Sequence, residues 1–295
     1  MATSKHTIKR ILALQKEYLT LKTGKESLLR MIDDIEIPES VYNSNAIENS
    51  TLTLKETEKI LLEMEVSRDV ELREVFEAKN LARVMEYVRS KDGPFELSQE
   101  SIELLHRMLI GNIDDPIAGR FRQKGEYVRV GSHIAPAPEH VERMIEAALI
   151  GYGTDHETFL SDRIARFHCE FERVHPFCDG NGRIGRVLMN LQLLSFGFPP
   201  IIVRNKEKGR YYEALQAYES AKRDTEGMER IVSLLIIESL HKRITYLRGE
   251  TIVTVSEYAK KTGKSVHALL NAARRQTIPA FRERGTWKIG EGFRG

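Results

Sequence analysis

Twelve consecutive residues, His175-Pro176-Phe177-Cys178-Asp179-Gly180-Asn181-Gly182-Arg183-Ile184-Gly185-Arg186, gather one histidine, one carboxylate and two guanidinium groups. Gly180 and Gly182 free the backbone for a turn into a helix, where unpaired N–H groups and the positive end of the helix dipole face an anion. Arg183 and Arg186 stand three apart on one helix face, and two guanidinium forks beside backbone donors make a phosphate clamp. Asp179 offers a hard oxygen of the kind Mg2+ takes when it travels with phosphates. His175, with an ordinary pKa of about 6.5, suits accepting a proton at neutral pH. These residues describe a phosphoanhydride-binding site with a histidine base; the acceptor stays open, and a helix-loop-helix turn with a solvated arginine face is the plain alternative.

The elements that must position this cluster read mostly as helix. Leu160, Ile164, Phe167, Phe171 and Val174 make one apolar face ahead of it, and Ile184, Val187, Leu188, Leu191 and Leu194 make another behind it, ending at Gly197 before Pro199-Pro200. Upstream, Leu72, Val75, Phe76, Leu81, Val84, Met85 and Val88 recur at three- and four-residue steps, and the turn-like Asp92-Gly93-Pro94 places a boundary near 91–95. Thr53 with Glu56 has the form of a capping box, which starts a helix near Leu54. A helix over Glu139 to Ile150 should break at Gly151-Tyr152-Gly153 and resume near Glu157. Between Gly119 and Gly131, long and small residues alternate around Gln123-Lys124-Gly125-Glu126, which predicts a short hairpin. A lone hairpin in a helical body is marginal by itself and needs a partner or a task.

The chain has 295 residues, 41% hydrophobic and 30% charged, with 45 Lys and Arg against 43 Asp and Glu. That balance argues against a protein that coats nucleic acid over its whole surface. It conceals an asymmetry, since residues 241–295 hold twelve basic against four acidic side chains. Two cysteines, Cys169 and Cys178, cannot staple a small secreted scaffold, and the charged stretch Met1 to Leu19 has no signal-peptide core. The apolar run Ile231 to Ile237 is far short of the ~20 residues that span a bilayer. A soluble, cytoplasmic protein without membrane contact is the expectation.

His175 through Arg186 resembles the signature of the Fic-domain adenylyltransferases, His-Pro-Phe-x-x-Gly-Asn-Gly-Arg-x-x-Arg, with every defined position present, and the likeness extends over roughly residues 40 to 220. The resemblance implies transfer of AMP from Mg-ATP to a Ser, Thr or Tyr hydroxyl of a target protein, the chain itself included. It casts His175 as the base, Asp179 as the Mg2+ ligand, Gly180, Asn181 and Gly182 as the phosphate cradle, and Arg183 and Arg186 as the β- and γ-phosphate ligands. Residues 119–131 become a flap that aligns the target, with Val128, Arg129, Val130 and Gly131 nearest nucleotide and target. Tyr211 and Tyr212 resemble the segment bordering the adenine pocket. Glu219 stands where relatives often place an Asn, which opens the choice of base to alternatives such as UMP or phosphocholine transfer. Ser44-Asn45-Ala46-Ile47-Glu48-Asn49 resembles the family's inhibitory motif, Ser/Thr-x-x-x-Glu-Gly/Asn. Ser44, Glu48 and Asn49 then form a brake in which Glu48 takes Arg186 from the γ-phosphate, and such a glutamate can also serve removal of AMP.

The tail repeats the capping-box pattern at Thr254 and Glu257, and the spacing predicts a second short helix over Ser265 to Arg275, with a strand-turn-strand over Ile278–Ile289. Two short helices and a basic hairpin resemble a winged helix-turn-helix module, which serves DNA contact, protein docking or self-association. The expected chain is therefore mainly α: an N-terminal helical region over 1–96 with the inhibitory helix, a Fic-type catalytic domain with a hairpin flap over 97–240, and a small winged module over 245–295. The non-enzymatic rival is a DNA-binding regulator whose nucleotide site only senses its ligand.

Overall fold

The computed structural model describes residues 3–66, 70–90, 96–131, 133–220 and 222–293. The chain divides into two compact units. The first takes residues 1–3, 37–196 and 202–232, and the second takes 4–36, 197–201 and 233–295. No helix among the described residues is long and apolar enough to cross a membrane. The boundary expected at 91–95 lies outside the described residues.

The first unit is helical. It contains the latter part of α2 (Glu26–Ile47), α3 (Leu54–Glu58), α4 (Leu72–Arg89), α5 (Gln99–Ile110), α6 (Val141–Thr154), α7 (Leu160–Val174), α8 (Asn181–Ser195), α9 (Lys208–Glu219) and the start of α10 (Glu226–Leu247). Its core joins Leu81 and Val84 of α4, Leu105 and Leu109 of α5, Phe167 and Phe171 of α7, and Ile184 and Leu188 of α8. Each such side chain contributes about 1.5–3 kcal/mol on burial, so the two helices flanking the signature are fixed by their apolar faces. The capping box at α3 forms in full, with the Thr53 hydroxyl accepting the Glu56 N–H and the Glu56 carboxylate accepting the Thr53 N–H.

Two local expectations are revised. α6 runs through Gly151 and Gly153 to Thr154; a helical glycine costs only about 1 kcal/mol, and Tyr152 between them packs edge-on against Phe167. The hairpin forms one turn later than the alternation predicts, as β1 (Arg129–Val130) antiparallel to β2 (His133–Ile134). Residues 120–126 instead close a separate loop, in which the Arg120 guanidinium meets the Glu126 carboxylate with both contacts at 2.7 Å.

The second unit holds α1 (Lys5–Lys22), the first part of α2, the rest of α10, and β3 (Ile252–Thr254), α11 (Val255–Thr262), α12 (Val266–Arg274), β4 (Ala280–Glu283) and β5 (Thr286–Gly290). The strands form an antiparallel sheet in the order β3-β5-β4; the β4–β5 hairpin was expected and the pairing of Ile252–Thr254 with β5 was not. Arg243 of α10 is fully buried among Asp33, Glu36 and Ser239. Burial works against the Glu36 carboxylate, but Arg243 and Lys242 overcome it and hold its pKa at about 2.

Candidate active site

α7 ends because His175 adopts a left-handed backbone, φ 51° and ψ 61°, with its N–H closing on the Phe171 carbonyl at 2.9 Å. A histidine rarely holds this conformation, which re-aims the chain sharply into the loop 176–180. Asn181 then braces that loop: its Oδ1 accepts the Phe177 N–H at 2.9 Å and its Nδ2 donates to the Phe177 carbonyl at 2.8 Å. Gly180, at φ 80°, starts α8 without any side-chain cap, so the first turn presents its backbone donors to whatever anion arrives. The bonds that close the loop on itself thus span only four residues.

The charged groups of the segment are all engaged. Arg183, 4% exposed, reaches Asp179 at 3.0 Å and Glu77 of α4 at 3.1 Å. Asp179 also meets Arg73 of α4. Burial alone would raise the Asp179 carboxyl; Arg183, the Gly180 N–H and Arg73 overcome it and hold it below the usual range. Arg186, 5% exposed, donates through Nε to the Ser44 hydroxyl and through Nη2 to the Ser44 carbonyl, both at 2.9 Å, and through Nη2 to Glu48 at 2.8 Å. Burial pulls its pKa down and the Glu48 carboxylate more than compensates, so the net shift is upward. Glu48 lies in the turn just after α2, and its carboxylate fits because residue 182 is glycine: a Cβ there would stand 2.2 Å from Glu48 Oε1. Asn45, Glu48, Asn49, Arg73, Glu77, Asp179 and Arg183 line one cleft of about 570 Å3.

Residues 96–193 match the sequence profile of the Fic/DOC family. This segment is similar to a Fic domain. It is 31% identical over 179 residues to the protein adenylyltransferase Fic of Drosophila persimilis, covering 60% of this chain and 35% of that one, and 30% identical to that of Drosophila virilis. The chain thus spans about a third of the length of these relatives. Among solved structures it is similar to Fic-1 from C. elegans, with a TM-score of 0.70, 27% identity and coverage of 81% of this chain and 71% of that chain. The fold is also that of a Fic family protein from Desulfovibrio desulfuricans G20, with a TM-score of 0.67, 21% identity and coverage of 99% and 98%.

Two residues that the sequence did not single out hold the 175–181 loop in place. His106 of α5 stacks on Phe177 with ring centroids 3.6 Å apart. Its Nδ1 accepts the Gly119 N–H at 2.9 Å, so the proton sits on Nε2, which donates to the Asp179 carbonyl at 3.0 Å. Arg122 spends its guanidinium on carbonyls alone: His175 at 2.8 Å, Glu126 at 3.0 Å, Pro136 at 2.9 Å and Val174 at 3.3 Å. Glu126 and Pro136 flank the hairpin, so one guanidinium fastens the segments that lead into and out of it to the His175 backbone. Neither residue carries a local signal, because each acts on backbone atoms of a distant segment.

Tyr211 and Tyr212 separate. Tyr211 is buried, with its hydroxyl 2.6 Å from His168 Nε2 and the Arg186 guanidinium 6.0 Å from its ring. Tyr212 is exposed at 37% and donates its hydroxyl to the Ile47 carbonyl at 3.0 Å, on the last turn of α2. Arg129 and Gly131 are exposed on the hairpin, and Glu219 is exposed at the end of α9.

Burial pushes the His106 pKa down to about 4, so folding favours the neutral ring. The folded state binds fewer protons than the unfolded chain below about pH 6.5, and this contribution to stability is whole above that value and lost as the pH falls toward 4. A His106→Gln variant has no such titration. The stability gap between native chain and variant should therefore be widest above pH 6.5 and narrow by about 1.4 kcal/mol per pH unit on acidification. Denaturant titrations at several pH values read this directly; a constant gap would place the proton elsewhere.

Proposed function

We propose that the chain is a protein adenylyltransferase: it moves AMP from Mg-ATP to a Ser, Thr or Tyr hydroxyl of a protein, its own chain included, under restraint by Glu48. The observation that carries this reading is the Arg186–Glu48 pair, a carboxylate seated on a buried guanidinium at the mouth of an anion-binding helix start. Asp179 fits Mg2+, which is held by one or two carboxylates together with substrate phosphates; bound there, the ion would neutralise phosphate charge. The single carboxylate in the loop suits an ion that arrives with the nucleotide.

In this mechanism His175 accepts the proton of the target hydroxyl as that oxygen attacks the α-phosphorus. The bond from the α-phosphorus to the oxygen bridging the β-phosphate breaks, and pyrophosphate leaves. Arg183, Arg186 and the first N–H groups of α8 absorb the negative charge that grows on the phosphate oxygens. Glu48 opposes this by occupying the edge of Arg186 that the γ-phosphate needs, one fork serving one anion at a time. The hairpin at Arg129–Ile134 offers a short edge to which a target backbone can add as a strand. Incubation with ATP labelled at the α-phosphate and, in parallel, at the γ-phosphate tests the reaction: label should enter protein from the first alone. Entry from the γ-phosphate would make the chain a phosphotransferase.

Nucleotide choice is a separate expectation. With Glu219 outside the cleft-lining set and exposed on α9, the remaining contacts to the base decide the choice, since the phosphate clamp holds every nucleoside triphosphate alike. ATP should outcompete equimolar UTP or GTP by about tenfold, about 1.4 kcal/mol in transition-state binding. Preferential use of UTP would reassign the reaction to uridylyl transfer.

A further inference from the structure

Residues 252–293 form a core of their own, with Val255, Tyr258 and Ala259 of α11 against Leu269 and Ala273 of α12 and Ala280 and Ile289 of the sheet. The turn between the helices is fixed: Gly263 sits at φ 68°, the Lys264 N–H bonds to the Ala259 carbonyl at 3.1 Å, and the Ser265 hydroxyl caps α12. With Leu269 and Ala273 turned inward, a period of 3.6 residues puts His267, Asn271 and Arg274 on the opposite side of α12. These three are joined in a ladder, Asn271 Nδ2 to His267 Nε2 at 3.0 Å and Arg274 Nη1 to Asn271 Oδ1 at 3.1 Å. A carboxamide and a guanidinium are the side chains that read adenine and guanine edges in a major groove.

Exposed charge on this surface is mostly basic. Lys260, Lys261, Lys264, Arg274, Arg275 and Arg284 are exposed, whereas Glu257 is the one fully exposed carboxylate among the described residues of 252–293. Glu257 is engaged by its own capping box, Glu283 by Lys242 and Lys288, and Glu291 by Lys261. Arg282 and Gln276 are turned inward to Glu238 and His241 of α10. Val266, at 38%, is the only large apolar side chain exposed among the same described residues, so a protein partner that binds by apolar burial finds little here, and a polyanion finds a surface rich in basic side chains.

We infer that residues 252–293 bind double-stranded DNA, with α12 entering the major groove and the Arg284-Gly285 turn touching the adjacent backbone. Lys260, Lys264 and Arg275 neutralise phosphates; Asn271 and Arg274 meet base edges. This rests on the second unit alone and is independent of the adenylyl-transfer reading.

The test uses the full chain and a labelled mixed-sequence duplex of about 30 base pairs, followed by fluorescence anisotropy. Binding should be submicromolar at about 50 mM salt and weaken about a hundredfold by about 200 mM, as expected for some four phosphate contacts. Lys260→Ala with Lys264→Ala should make the salt slope shallower by about 2. Arg274→Ala with Arg275→Ala should weaken binding at least tenfold, and Asn271→Ala should flatten preference among duplexes selected from a random pool. All of these positions are on the surface, and unchanged melting temperatures will verify folding. His175→Asn should bind DNA as the native chain does. Absence of binding at low salt, affinity untouched by the paired substitutions, or equal affinity for heparin and single-stranded RNA would each overturn the inference.

Discussion

Glu48→Gly should raise the initial rate of self-adenylylation from α-labelled ATP at least tenfold over the native chain. The carboxylate occupies Nη2 of Arg186 at 2.8 Å, while Ser44 keeps Nε and shares Nη2. Its removal leaves a buried cation still held in direction by Ser44 and ready for a phosphate. The backbone cost is small, because Glu48 follows the last residue of α2 rather than lying inside the helix. The uncompensated guanidinium should lower stability of the nucleotide-free variant by about 1–3 kcal/mol, and ATP should restore more of it than in the native chain, since ligand binding to the folded state adds to its stability. The double variant Glu48→Gly with Arg186→Ala should lose the gain, because the freed arginine is the agent of activation. An unchanged or lower rate in a folded Glu48→Gly protein would remove Ser44 to Asn49 from regulation.

Loss of the base should be as large in the other direction. In the Glu48→Gly background, replacing His175 should cut transfer by about 10²–10⁴, the usual contribution of a positioned proton acceptor. Affinity for a non-hydrolysable ATP analogue should stay within about threefold, since the clamp lies at 179–186 and a factor of three is less than about 1 kcal/mol. The left-handed backbone at residue 175 makes Asn the better replacement, because it tolerates positive φ where Ala is strained. If His175→Asn and His175→Ala both lose nucleotide binding, the residue shapes the loop and the proton goes elsewhere. If transfer persists at the native rate, His175 is not the base.

What was legible in the sequence was whatever the chain settles over a few residues. The turn at 175–181 is closed by Asn181 on Phe177, four positions away, and by glycine at 180, so the residue types dictate the geometry. The capping boxes at Thr53 and Thr254 and the apolar faces of α7 and α8 are local for the same reason. Glu48 could be matched to Arg186 across 138 residues, and Ser44 across 142, only because a family pattern links them; charge type alone would have allowed any of the many arginines.

The tertiary structure decided the rest. Whether glycines end a helix at 151–153 depended on what packs beside Tyr152, and whether residues 119–122 or 133–134 pair with the hairpin strand depended on where Arg122 and Arg120 found their partners. The α4 pair Arg73 and Glu77, and His106 and Arg122, reach the loop because helices distant in sequence pack around it, and they act through single bonds to carbonyls and charges that leave no periodic trace. The sequence by itself determined the reactive turn and the chemistry of its side chains, since both follow from bonds between near neighbours. Which distant residues hold that turn, and which N-terminal helices share a unit with the C-terminal sheet, was decided only by packing, because long-range contacts are set by the apolar surface of the whole chain rather than by any one segment.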